Sequence, residues 1–275
     1  MYKTIIFSLI VSLIYSCNPV PEVGPENYVV EAYLYSGEPV RDIKIKKLIP
    51  LTEPEGESEI IATAIINILK EGKSFPLSYN STSKKYTYQG IDLEILPFDV
   101  LDLEVDVNGR ISTATTKVPE PPEGIMISKT QMIIPEIKGV GDFIGNDPLA
   151  DAELTISWNN PDNELYYTVV EFRSNLLIPI LPGAIQEVVD GILEDFAIIT
   201  APSTDTTLNV SGALLPSYGP YVVKIYKVNQ EYADLYESET QDSRDLNQSP
   251  SNVINARGIF SAFASDSIFF EVVKP

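Results

Sequence analysis

Histidine is absent from this 275-residue chain, cysteine and tryptophan occur once each, and basic residues are outnumbered two to one. Without histidine there is no Ser-His-Asp triad and no Cys-His pair. Histidine-containing zinc sites are excluded too, and a single cysteine cannot replace them. Carboxylate pairs, Ser-Lys pairs and oxygen-bound calcium are the catalytic or ligating options that remain. One cysteine also cannot close an internal disulfide, so stability must come from packing. The 19 basic against 39 acidic residues leave a net charge of −20. Such a chain repels nucleic acid and anionic membrane surfaces, and no basic patch opposes that. Long apolar runs are scarce as well. The longest, Thr4 to Ile14, is shorter than the ~20 residues a membrane-spanning helix needs.

That run is placed to be informative. Lys3 precedes it, and Ile14-Tyr15-Ser16-Cys17 ends it. A charged start, a short apolar core and a small residue before the cut describe an export signal. The four residues resemble the bacterial lipobox, in which the cysteine thiol is acylated and becomes the new N-terminus. The resemblance makes residues 1–16 a signal peptide and Cys17 the lipidation site. It also places the protein at a membrane through covalent lipid, with no other cofactor expected. Acyl chains contribute about 0.8 kcal/mol per buried CH₂. The following "NPVPEVGPEN" is Pro- and Gly-rich, so residues 17–27 read as an extended lipidated tether.

The rest reads as all-β: two immunoglobulin-, transthyretin- or fibronectin-like sandwiches in series, with a short helical insert in the second. The first spans residues 28–118. "YVVEAYLYSG" is β-branched and aromatic and breaks at Gly37. Ile43 and Ile45 alternate with Lys44 and Lys46, as in a half-buried strand. In "EIIATAIINILKEG" the isoleucines and the Gly72 stop favour a strand. Asn108-Gly109, between Val107 and Arg110, signals a hairpin. "PEPPEG", residues 119–124, cannot form a ladder and marks a linker.

The second sandwich spans residues 125–275. Leu154, Ile156 and Trp158 share one face of a strand, with Trp158 expected in the core. "YGPYVVKIYKVN" and "SIFFEVV" read as further strands. Two segments break the pattern. Residues 182–196 carry Ile185, Val188, Val189, Ile192 and Phe196 at helical spacing, and they follow the apolar "NLLIPILPG". "QEYADLYESETQDSRD" reads as a polar helix with Tyr232 and Tyr236 one turn apart.

Candidate chemistry is thin. Glu53, Glu55, Glu57 and Glu59 fit a solvated loop, and Asp162, Asn163 and Glu164 fit a turn; neither has EF-hand spacing. A glycosidase needs two carboxylates held across a cleft, and no pair stands out among so many. We expect no metal site and no catalytic residue. The apolar loop offers the best partner-binding candidates, Leu176, Leu177, Ile178 and Ile180, its alternative being a flap that seals an open sheet edge; Ile259, Phe260 and Phe263 follow, with a place in the core as their alternative.

"VVKIYKVNQEYADLYES" followed by "SPSNVINARGIFSAFASDSIFFEV" resembles a Bacteroidota lipoprotein family, the domain of unknown function forty-two forty-nine. "YVVEAYL" after a lipobox and "STATTKVPEPP" before the Pro-rich joint fit the same family, in the same order. Ala256-Arg257 stands where the family tends to be Gly-rich, and Ser261 where glycine is common. Genes of the family often lie beside TonB-dependent outer-membrane transporters. The resemblance therefore implies a non-enzymatic outer-membrane lipoprotein, an accessory binding subunit whose partner is such a β-barrel transporter. It leaves both faces of that membrane open and implies no nucleic acid. The alternative is a structural fimbrial-type or adhesive β-sandwich lipoprotein. A carbohydrate-binding or glycoside-cleaving lipoprotein fits less well, since few aromatic platforms are visible.

Overall fold

The computed structural model describes residues 28–48, 58–139, 142, 149, 151–181, 196–240 and 250–275. The signal peptide, Cys17, the tether, Glu53, Glu55, Glu57 and the helical insert up to residue 195 lie outside the described residues.

The first sandwich begins with β1 (Tyr28–Tyr35), whose alternate side chains are buried and half-buried. It pairs antiparallel with β2 (Asp42–Lys47), where Ile43 and Ile45 point inward as the alternation predicts. β3 (Ile65–Lys70) and β4 (Lys73–Pro76) form a hairpin through Glu71 and Gly72. Both turn residues have positive φ, 51° and 78°, the twist that lets two-residue loops join antiparallel strands. β5 (Ser78–Asn80) and β6 (Lys85–Thr87) extend the β1–β2 sheet. β7 (Val100–Val107) and β8 (Arg110–Lys117) turn through the predicted Asn108-Gly109, again with positive φ at both. The order β4-β3-β7-β8 makes the facing sheet. Ile43, Ile45, Ile66, Ile68, Leu101 and Leu103 meet between the two sheets, fully buried.

The second sandwich contains β9 (Glu123–Ile127), β10 (Gln131–Ile133), β11 (Glu153–Asn159) and β12 (Leu165–Phe172), then β13 (Ile178–Pro179), β14 (Ala197–Ile199) and β15 (Thr207–Ser211). β16 (Ser217–Val228), α1 (Gln230–Thr240) and β17 (Arg257–Val273) complete the chain. The order β15-β11-β9 forms its smaller sheet. Leu154, Ile156 and Trp158 lie in its core, as the strand pattern predicts.

The larger sheet is shared. Its strands run β14-β12-β16-β17-β1-β2-β6-β5, so one ladder passes through both halves. The joint is β17, 17 residues long. Its first part lies parallel to β1, from Val29↔Arg257 to Tyr35↔Phe263. Its remainder lies antiparallel to β16, from Val228↔Phe263 to Gly219↔Val272. The sequence division at residues 119–124 is thus crossed a second time. Val253, Ala256, Phe260 and Ala262 belong to the first core, although they come 129 or more residues after the linker. The physical reason is length: one long strand supplies inward side chains to both cores in succession.

Candidate functional site

The face of the shared sheet that points away from both cores carries the site. On β1, Tyr33 and Tyr35 take the outward positions of the alternation. β17 brings Phe263 beside them, β16 brings Tyr226, and β12 brings Tyr167. Tyr232, from the first turns of α1, leans over this row. Phe263 is the hub: its ring lies 5.2 Å from Tyr35, 4.8 Å from Tyr232 and 5.9 Å from Tyr33, centroid to centroid. Tyr167 and Tyr226 stack at 4.8 Å with planes 7° apart. Cross-strand aromatic pairs of this kind stabilise a sheet beyond the area they bury.

Above the row opens a groove of about 720 Å³. Tyr35, Tyr167, Tyr226 and Tyr232 line its floor. Asn80 of β5 and Ile199 of β14 also line it, although they come from opposite ends of the sheet. The sheet is therefore concave here, and both halves of the chain build the walls. The rim holds three acids and three bases, each base already paired. Arg41 meets Glu38 at 2.5 Å, Lys85 meets Asp42 at 2.6 Å and Lys224 meets Glu171 at 3.2 Å.

Burial holds the phenols neutral. Tyr35 and Tyr167 are pushed far above the ordinary tyrosine range, first by burial and then by neighbouring groups, Asp42 and Tyr35 respectively. Burial, with Glu171 and Glu38 nearby, pushes Tyr226 up to about 12. Tyr167 and Tyr226 are only 8% and 9% exposed. The Tyr35 hydroxyl donates to Asp42 at 3.5 Å.

A polar knot holds α1 over the joint. Asn229 donates to Thr116 Oγ1 at 3.1 Å and to the Lys117 carbonyl at 2.9 Å. Thr116 and Ser261 each donate to Glu231 Oε1 at 3.2 Å. The segment "SPSNVINARGIF" pins the start of β17. Asn252 accepts from the Phe260 N–H at 2.9 Å and donates to its carbonyl at 2.7 Å, acting as a substitute strand. Ile254 bridges Thr113 of β8. Gly258 has φ of +117° and passes Val30 so closely that a Cβ would sit 1.9 Å from the Val30 carbonyl oxygen. The residues that carry the family resemblance are thus the ones that fasten the two halves.

The sequence profile of a domain of unknown function, DUF4249, matches residues 17–268. The chain belongs to that family. No curated protein matches it. Among solved structures, a two-domain fibronectin type III segment of chicken tenascin is similar at 10% identity, covering 90% of this chain and 98% of that one, with a TM-score of 0.26. Domains A168–A170 of titin are similar at 12% identity, covering 73% of this chain and 56% of that one, with a TM-score of 0.22.

For this DUF4249 chain the partner-binding candidates separate into two groups. Leu176 and Ile178 are 68% and 41% exposed, and Leu177 is half-buried. Ile180 is buried in the second core. Ile259, Phe260 and Phe263 are buried as well, which corrects their reading as contact residues: β17 lies mid-sheet, paired on both sides or clamped by Asn252. Asp162, Asn163 and Glu164 form a turn, with Asn163 at φ +53° and the Asn160 amide holding both backbone groups of Glu164. Glu59 pairs with Lys47 at 2.6 Å. No cluster able to hold a metal ion occurs among the described residues, and none of their helices is long and apolar enough to cross a membrane.

The aromatic groove escaped the sequence reading. Its only signal was outward tyrosine at alternate positions, Tyr33 and Tyr35, where a solvated strand face usually carries charge.

Proposed function

We propose that this DUF4249 chain is a non-enzymatic cell-envelope lipoprotein, held at the outer membrane by acylated Cys17. On this reading it is an accessory binding subunit of a TonB-dependent β-barrel transporter. The observation that carries the reading is the shared sheet. It fuses two sandwiches into one body with a concave, tyrosine-floored face, an arrangement suited to holding something rather than transforming it. The groove's acids are each paired with a neighbouring base, which disfavours the opposed free carboxylates that glycoside cleavage needs.

The mechanism follows from tethering. Residues 17–27, fully extended, reach roughly 35 Å. Lipid anchoring confines the body to that distance and raises its effective concentration beside a membrane partner. Leu176 and Ile178, exposed on the stretch leading into and along β13, are the contact residues proposed for that partner. The fimbrial alternative draws less support. Strand exchange needs a strand or groove open for donation, and both β1 and β17 are paired along their lengths.

The test is purification of the native protein from its own membranes in mild detergent, with labelled palmitate supplied during growth. The proposal expects label that is lost in Cys17→Ala, and a stoichiometric outer-membrane barrel in the eluate. Label without any barrel, or only further copies of the chain, would contradict it.

A further inference from the structure

The floor of the groove holds two polar groups with nothing to do. Tyr167 and Tyr226 are more than nine-tenths buried, yet their hydroxyls make no hydrogen bond among the described residues. Among the described residues only the Trp158 Nε1 is both sealed from solvent and unpartnered, so these two hydroxyls open into the groove. Two unpartnered donors side by side, on stacked rings, are available to a ligand.

The surroundings narrow its chemistry. All three rim cations are committed to carboxylates, and the chain as a whole carries −20, so an anionic ligand finds no free counter-charge. The three rim acids are neutralised in the same pairs, so a cation finds none either. Neither does the site suit an extended peptide. The floor is a sheet face rather than an edge, and its backbone N–H and C=O groups are consumed in the β1, β17, β16 and β12 ladders. What remains is a set of hydroxyls, the Asn80 NH2 group, ion pairs and tyrosine rings. Ion pairs present donor and acceptor together, which matches the adjacent hydroxyls of a sugar. The half-exposed rings of Tyr35 and Tyr232 offer surface to its C–H face. At about 720 Å³ the groove also lies within the range of ordinary ligand clefts.

We infer that the groove between the two halves binds a neutral oligosaccharide, held on Tyr167 and Tyr226 and clasped by the Lys224–Glu171 and Lys85–Asp42 pairs. This deepens the binding-protein reading above and rests on it.

The test is a glycan array spanning neutral and anionic oligosaccharides, probed with the full lipidated chain in detergent and followed by calorimetry on the hits. Neutral glycans are expected to bind and anionic ones to bind no better. Tyr167→Phe keeps the ring and removes the hydroxyl, and is expected to weaken binding several-fold. Ile199→Trp fills the groove from its exposed rim without touching the core, and is expected to weaken it at least ~10-fold. Absence of any neutral hit would overturn the inference, as would hits that ignore both variants. An array positive only for anionic glycans would also overturn it. Retention of the co-purifying barrel by Ile199→Trp separates the two proposals. Cleavage of the bound glycan would instead contradict the non-enzymatic reading and leave the site intact.

Discussion

Phe263 stacks on Tyr35, ring centroids 5.2 Å apart and planes 21° from parallel, at the one position where β17 passes from its β1 ladder to its β16 ladder. The hand-over point of the sheet and the hub of the aromatic row are the same residue. Truncating this side chain removes packing from both halves together. Phe263→Ala is expected to cost about 3–5 kcal/mol, with Phe263→Leu costing less, measured as the shift in urea midpoint.

Gly258 tests the close approach of β17 to β1. Any side chain there meets the Val30 backbone, and the φ of +117° is one that other residues rarely adopt. Gly258→Ala is expected to destabilise by roughly 3 kcal/mol or more. A far smaller shift in the denaturation midpoint would mean that the two strands separate easily.

Asn252 is the side chain that stands in for a missing strand. Asn252→Ala strands the Phe260 N–H and carbonyl together, at an expected cost of about 2–3 kcal/mol. Hydrogen exchange at the Phe260 amide should rise accordingly. Protection unchanged from the parent would contradict the clamp.

The tyrosines set an alkaline limit. Tyr226 titrates near 12 in the folded chain against about 10 when unfolded, so the unfolded state loses its proton first. The stabilisation is therefore complete below about pH 10 and is lost as pH rises toward 12. Tyr35 and Tyr167, shifted upward further, act in the same direction. Stability followed by circular dichroism should be level with respect to these groups up to about pH 10 and fall beyond it. A rise in that interval would contradict neutral phenols in the groove floor.

Leu176 separates partner binding from folding. It is 68% exposed, so Leu176→Asp should change stability by no more than about 0.5 kcal/mol. The co-purifying barrel should nevertheless be depleted. Equal recovery from Leu176→Asp and parent membranes would remove this loop from the interface.

Much of the strand content was legible in local chemistry. Asn108-Gly109 demanded its hairpin, and Ile43 and Ile45 declared their inward face. Trp158 took the core position its strand predicted. The terminal strand was harder. "SIFFEVV" was visible as a strand, but Ser265, Asp266 and Ser267 broke the apolar run before it, and all three are exposed. They belong to the same strand because the β16 ladder continues unbroken past them, from Lys224↔Ser267 to Tyr226↔Ser265. The groove was hidden for a related reason. Tyr35 and Tyr167 lie 132 residues apart in sequence, and only the order of strands in the shared sheet brings them to one surface. The apolar Ile259, Phe260 and Phe263 suggested a contact patch, but β17 buries both of its faces from Ile259 to Ala264.

The central claim is that the two halves form one body through β17. It is tested most directly by urea unfolding with two probes on the same sample: Trp158 fluorescence, which reports the second core, and hydrogen exchange at Ile43, Ile66 and Leu103, which reports the first. Coincident transitions that move together in Gly258→Ala are the predicted result. Two separated transitions, with the first core still protected after the second has melted, would contradict the account.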